Sequence, residues 1–221
     1  MKTFTIGKKK IVLKEEWMVG FITTWIVGLL AHAYRFFNFL PIWDSIYNFT
    51  GVGSTYTLGR WFLGYAGRIT SMFDLPWVNG AFSLFYISIV VILLTEMFEI
   101  KNKGMIVLCA AIFVSFPTVV SSFAYMYTAD AYLLAFLLAT LAVYLTWCVK
   151  KWGTIAGMVC LAFAMGIYQA YATVVIVLVL LYIIRQFVIE KLDFLEAVRK
   201  DLKYLGMLVG GAVLYAVILK I

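Results

Sequence analysis

Apolar runs about as long as a bilayer is thick divide this chain, and its positive charges collect on alternate sides of them. A transmembrane helix needs roughly 17 to 25 mostly apolar residues. The pattern places seven such helices, at about 17–32, 80–98, 105–122, 131–149, 154–168, 171–189 and 204–219. With 65% of the 221 residues hydrophobic and only 13% charged, no soluble core could hide so much apolar surface. The reading is one all-α transmembrane domain over residues 1–221.

If the N-terminus is cytoplasmic, the inner segments hold Lys2, Lys8, Lys9, Lys10 and Lys14, then Lys101 and Lys103, then Lys150 and Lys151, then Arg185, Lys191, Arg199, Lys200 and Lys203. These are 14 of the 18 basic residues; Arg35, Arg60, Arg68 and Lys220 are left for the outer side. The positive-inside rule therefore orients the chain. The formal charge of +7 is this topological signal plus attraction to anionic membrane lipid, and it calls for no nucleic-acid partner. Basic residues precede the first run as in a signal peptide, but no small-residue cleavage site follows, so the run is read as a retained helix. Cys109, Cys148 and Cys160 fall within the runs and read as packing residues, not as a disulfide framework.

Most connections are short. The exception is the first outer loop, about residues 33–79, which is rich in aromatic residues. Two helical patterns can be drawn in it, at 42–49 and about 56–73. The second carries Leu58, Trp61, Phe62, Tyr65, Ile69 and Met72 on one face. Both are expected to lie in the membrane interface, anchored by Trp and Tyr. A further interfacial helix is expected on the inner side at about 185–203, with Val188, Leu192, Leu195 and Leu202 on its apolar face. Asn48-Phe49-Thr50 fits a glycosylation sequon.

The acids separate by side as the bases do. Glu15, Glu16, Glu96, Glu99, Glu190, Asp193, Glu196 and Asp201 are inner and sit among Lys and Arg. Only Asp44, Asp74 and Asp130 face outward, each near the membrane surface. Two other outer turns add Tyr125, Tyr127, Tyr168, Gln169 and Tyr171, so polar groups from three loops converge on one face, the default position for a binding site. Each also has a structural reading. Asp130 would cap the fourth helix, Asp74 would hold a turn, and Asp44 would suit a helix dipole. Arg60 and Arg68 would snorkel to headgroups, Gln169 would bond between helices, and His32 would be a packed end residue.

Several chemistries are missing. There is no phosphate-binding Gly-rich loop and no Ser/His/Asp constellation, and a lone His32 excludes a multi-His site. No cofactor is required, and the sequence gives a divalent metal no support. No pair of interrupted runs marks an inverted-repeat transporter, and no charge falls at the bilayer midplane. An enzyme acting at the outer surface on a lipid-linked sugar would need a carboxylate to take a hydroxyl proton, cations for a phosphate leaving group and aromatic faces for the sugar. Asp44, Arg60 with Arg68, and the Trp and Tyr residues of the first loop, Trp61 among them, meet that need.

The order of a first helix, a long outer loop with Trp43-Asp44 and then Gly59-Arg60-Trp61, Ser121-Ser122-Phe123 with Tyr127 before the fourth run, and Tyr168-Gln169 after the fifth resembles the bacterial O-antigen glucosyltransferases of the GtrII type. These in turn resemble the GT-C class of integral membrane glycosyltransferases. The resemblance implies inverting transfer of a sugar, glucose or a close relative, from a polyprenyl-phosphate donor to a cell-surface glycan acceptor on the outer face of the bacterial inner membrane. It implies a first-loop carboxylate as general base, which assigns that role to Asp44; the residues themselves then suggest Arg60 and Arg68 on the donor phosphate, and Asp130, Tyr127, Tyr168, Gln169, Asp74 and Trp61 around the substrate. Two departures stand out. Asp44 is followed by Ser45 where family members often carry paired acids, and family chains are longer, so the chain reads as a fragment with the catalytic module or as a short divergent member. The competing classes are a lipid or small-solute translocator, which needs a polar path through the spans, and an assembly subunit without chemistry, which would tolerate joint loss of Asp44, Arg60 and Gln169.

Overall fold

The computed structural model describes residues 2–6, 9–47, 55–70 and 72–220. Five helical runs are long and apolar enough to cross a membrane: Glu15–Phe37, Pro76–Met97, Lys103–Cys148, Tyr171–Glu190 and Arg199–Lys220. The protein is an integral membrane protein with a helical body. The body is all-α as expected; ahead of the first helix, strands β1 (Lys2–Ile6) and β2 (Lys9–Leu13) pair as a short antiparallel hairpin. The sequence reading had taken this segment only as a basic leader.

Helix α1 (Glu15–Phe37) buries Gly20, Thr24, Gly28, His32 and Phe36, one residue in four, and so presents a single narrow stripe. Small residues in that stripe let backbones approach. A Cβ on Gly28 would come within 2.4 Å of Leu84 on α4 (Pro76–Met97). His32 Nε2 donates to the Val114 carbonyl at 2.8 Å and its ring packs on Phe123, which makes it a structural histidine.

The 103–148 run is not one helix. It comprises α5 (Lys103–Ser115), α6 (Pro117–Ser122), a 3-10 turn at Phe123–Tyr125 and α7 (Met126–Cys148). Pro117 lacks an N–H and pushes Phe116 into extended backbone, ψ 140, so α5 ends there. Phe113 then stacks on Phe136 with ring centroids 6.1 Å apart, whereas a straight helix would separate them by about 35 Å. The run is therefore a hairpin whose arms coincide with the third and fourth runs read from the sequence. Helix α7 packs against α4, α8 (Gly153–Ile167) and α9 (Tyr171–Arg185) and buries Ala135, Ala139, Ala142 and Val143 completely. At 15 residues, α8 falls short of a full span.

The ion pairs among the described residues all lie at one end of the bundle. Lys14 meets Glu96 at 2.7 Å, Lys103 meets Glu15 at 2.5 Å, Arg185 meets Glu99 at 2.9 Å and Glu190 at 2.7 Å, and Lys200 meets Glu190 at 3.0 Å. This is the end the sequence assigns to the paired inner acids. The inner interfacial helix expected at 185–203 does not form as one piece. A π-helical turn covers Gln186–Glu190, Lys191 takes a left-handed φ of 52, and α10 (Phe194–Lys220) then runs on without a break.

The long loop at the opposite end also departs from expectation. Helix α2 (Trp43–Tyr47) falls within the first expected pattern. The expected helix over 56–73 is instead a turn at residues 55–59, a single helical turn α3 (Leu63–Ala66) and a 3-10 turn at Gly67–Ile69. Its buried hydrophobic residues are Leu63, Ala66 and Met72, while Leu58, Tyr65 and Ile69 stay exposed. Two features break the pattern: Gly59 has φ 76, and the Phe62 N–H leaves the helix pattern to donate to the Gly166 carbonyl, distant in sequence, at 2.8 Å. The sequon at Asn48 lies outside the described residues.

Candidate active site

Residues 58–62 run across the loop end of α8. Trp61 and Phe62 pack on Phe163, and Gly166 admits them because a Cβ there would sit 2.6 Å from the Trp61 ring. This docking turns the Arg60 side chain over Tyr168, with its guanidinium carbon 4.5 Å from the ring centroid. The Arg60 Nε is buried and has no hydrogen-bond partner. Cations over aromatic faces gain about 0.5–2 kcal/mol, more as water is excluded.

Below the guanidinium lies a cavity of ≈ 660 Å³, within the range of pockets for small ligands. Asp44 and Arg60 line it from the loop, and Thr118, Ser121, Ser122 and Tyr125 from the α6 side. Tyr127, Tyr132, Leu133 and Phe136 contribute from α7, and Tyr168, Tyr171 and Val174 from the start of α9 and the turn before it. Rings form a continuous wall: Tyr168 contacts Tyr132 at 5.6 Å and Tyr171 at 6.3 Å, and Tyr171 contacts Phe136 at 6.4 Å. Among the described residues neither Asp44 nor Arg60 belongs to an ion pair, in contrast to the acids and bases at the other end of the bundle. Both charges are therefore open to a ligand. Leu133, Phe136 and Val174 lie further along their helices from the loop than the tyrosines, so the lining passes from charged groups, through tyrosines, to wholly apolar side chains.

Of the site residues read from the sequence, Asp44, Arg60, Tyr127 and Tyr168 meet at this cavity. The other five do not line it. Trp61 packs into the α8 end. Arg68 is exposed, 5.4 Å from the Tyr65 ring. Asp130 is buried in the second turn of α7, too far in to cap it, and accepts from Thr70 Oγ1 at 3.0 Å and Asn79 Nδ2 at 3.2 Å. It fastens the loop and the start of α4 to the bundle. Asp74 is half-buried with both oxygens unpartnered, and Arg35 supplies the positive charge it faces. Gln169 donates to the Leu58 carbonyl at 2.8 Å and to Tyr215 Oη at 2.9 Å, the interhelical role that its structural reading gave it.

Thr118, Ser121 and Ser122 are lining residues that the hydropathy of the run does not mark, although with Tyr125 their spacing of three, four and seven defines one helical face. A run that looks uniformly apolar hides a polar stripe at its end. No cluster of three or more potential metal ligands occurs among the described residues.

A family model described as Glucosyl transferase GtrII matches residues 33–221, which takes in every residue that lines the cavity. The chain belongs to the GtrII glucosyl transferase family. No curated protein and no solved structure matches it. The GtrII match places this membrane protein among glycosyltransferases, which act on a sugar donor and an acceptor, and it agrees with the resemblance carried by Trp43-Asp44, Gly59-Arg60-Trp61 and Tyr168-Gln169.

Proposed function

We propose that this GtrII protein transfers a sugar, glucose in the first instance, from a polyprenyl-phosphate donor to a cell-surface glycan such as O-antigen, with inversion, at the outer face of the bacterial inner membrane. The observation that carries the reading is the joint presence of Asp44 and Arg60, both outside ion pairs among the described residues, on one cavity whose lining grades from charge to tyrosine rings to wholly apolar side chains. A lipid-linked sugar phosphate has the same three parts in the same order. Arg60 would hold the phosphate, the Tyr168, Tyr132 and Tyr127 side would stack the sugar, and Leu133, Phe136 and Val174 would take the start of the isoprenoid chain.

In the transfer, Asp44 removes the proton from an acceptor hydroxyl. The oxygen attacks the anomeric carbon as its bond to the phosphate oxygen breaks on the opposite side, which inverts the centre. The leaving polyprenyl phosphate gathers negative charge at Arg60, where a guanidinium is worth most. Asp130 and Gln169 serve in this reading as the frame that keeps the loop in place. Counting α5 with α6, α7, and the short α8 each as a crossing gives seven segments with the ion-pair end cytoplasmic, as the positive-inside rule asks.

The test is transfer by purified protein in lipid from radiolabelled polyprenyl-phosphate-glucose to cell-envelope glycan. Label in the glycan, dependent on the lipid donor and absent with a soluble sugar nucleotide, supports the reading. Equal labelling from a soluble donor would refute the lipid-linked assignment.

A further inference from the structure

We infer that Tyr215 on α10, with Gln169, is a positioning residue for Arg60, so that the last helix takes part in building the donor site. The inference rests on Arg60 being the phosphate contact proposed above. Tyr215 lies 156 positions away in sequence from the loop carbonyl it binds, and the cavity lining does not include it.

The geometry is a closed set of three hydrogen bonds on one turn. Tyr215 Oη donates to the Gly59 carbonyl at 3.0 Å, and Gln169 Nε2 donates to the Leu58 carbonyl at 2.8 Å and to Tyr215 Oη at 2.9 Å. The two successive carbonyls immediately before Arg60 are thus both held by side chains. The turn itself requires glycine, since Gly59 has φ 76 and a Cβ there would stand 2.4 Å from Tyr215 Oη and 2.5 Å from Gln169 Nε2. Adjacent residues on one short turn then act on both sides of Arg60: Gln169 holds the Leu58 carbonyl two residues before it, and Tyr168 receives its guanidinium. A long, flexible side chain loses less freedom on binding phosphate when its own backbone is fixed.

The test is the rate at which phenylglyoxal modifies Arg60, followed by mass spectrometry on the full chain in lipid nanodiscs, with exposed Arg68 as internal reference. Tyr215→Phe removes one donor of about average strength, so Arg60 should react about fivefold faster relative to Arg68. Unchanged Arg60 reactivity overturns the inference. If Tyr215→Phe does not fold, Gln169→Leu breaks the other arm and carries the same expectation. In transfer assays Tyr215→Phe should raise the donor KM by a similar factor with kcat unchanged, and should add nothing in an Arg60→Ala background. An equal rise in that background would show Tyr215 acting without Arg60 and would also overturn it. Faster Arg60 labelling together with a donor KM that Arg60→Ala leaves untouched would instead contradict the phosphate role of Arg60 while supporting the clamp, so the two failures are separable.

Discussion

The guanidinium of Arg60 lies 4.5 Å from the centre of the Tyr168 ring, at the head of the aromatic wall that leads through Tyr171 to Phe136. The contact joins a loop cation on the cavity to the turn between α8 and α9. Replacing the ring by Tyr168→Leu keeps bulk but removes the quadrupole, and the donor KM should rise by roughly three- to tenfold. Tyr168→Phe should stay near wild type. A kinetic series on the two variants beside Arg60→Ala checks this; equal effects of Leu and Phe would point to the hydroxyl rather than the ring face.

Asp130 is a stability residue in this account. The residue is 2% exposed and its carboxylate accepts from Thr70 and Asn79, so Asp130→Ala leaves the buried Asn79 amide without its acceptor and Thr70 with only its bond to the Gly67 carbonyl, at a cost of about 1–3 kcal/mol for the orphaned amide. Thermal unfolding in detergent should show a lower midpoint for Asp130→Ala and a smaller drop for Thr70→Val. No change in either would mean the loop is held elsewhere.

The stripe of small residues on α1 gives a packing prediction. Gly28→Val would push into Leu84 and Val114, and overpacking of this kind costs about 1–3 kcal/mol. Gly64→Ala makes a fitting control, because nothing stands within 4 Å of a Cβ there. The melting midpoints of the two variants should differ, with Gly64→Ala close to wild type.

Much of the body was legible in the chain because hydrocarbon thickness and charge asymmetry act on whole segments. The runs at 17–32 and 80–98 and both arms of the 103–148 hairpin coincide with observed helices, and Pro117 marks the break as its missing N–H requires. The gathering of ion pairs at one end was likewise readable from where Lys and Glu fall. The loop was not, because its shape depends on partners far away in sequence. Phe62 bonds to Gly166, Leu58 to Gln169 and Gly59 to Tyr215, and no periodicity within 56–73 reports those bonds. For the same reason the sequence grouped Asp130 and Gln169 with the substrate residues, although the structure uses both as fastenings. It also passed over Ser121 and Ser122 as lining residues, since two hydroxyls at the end of an apolar run weigh little in a hydropathy pattern. In the N-terminal segment, alternation over five residues was too short a signal to set against the basic charge around it.

The most direct measurement of the central claim is transfer from polyprenyl-phosphate-glucose by Asp44→Asn beside wild type, in lipid, with donor binding measured on the same preparations. Asp44 lies on the cavity outside any ion pair among the described residues, and loss of a general base costs about 10² to 10⁴ in rate. Transfer should fall by that order while donor affinity stays within a few-fold of wild type. Near-normal transfer by Asp44→Asn would contradict it.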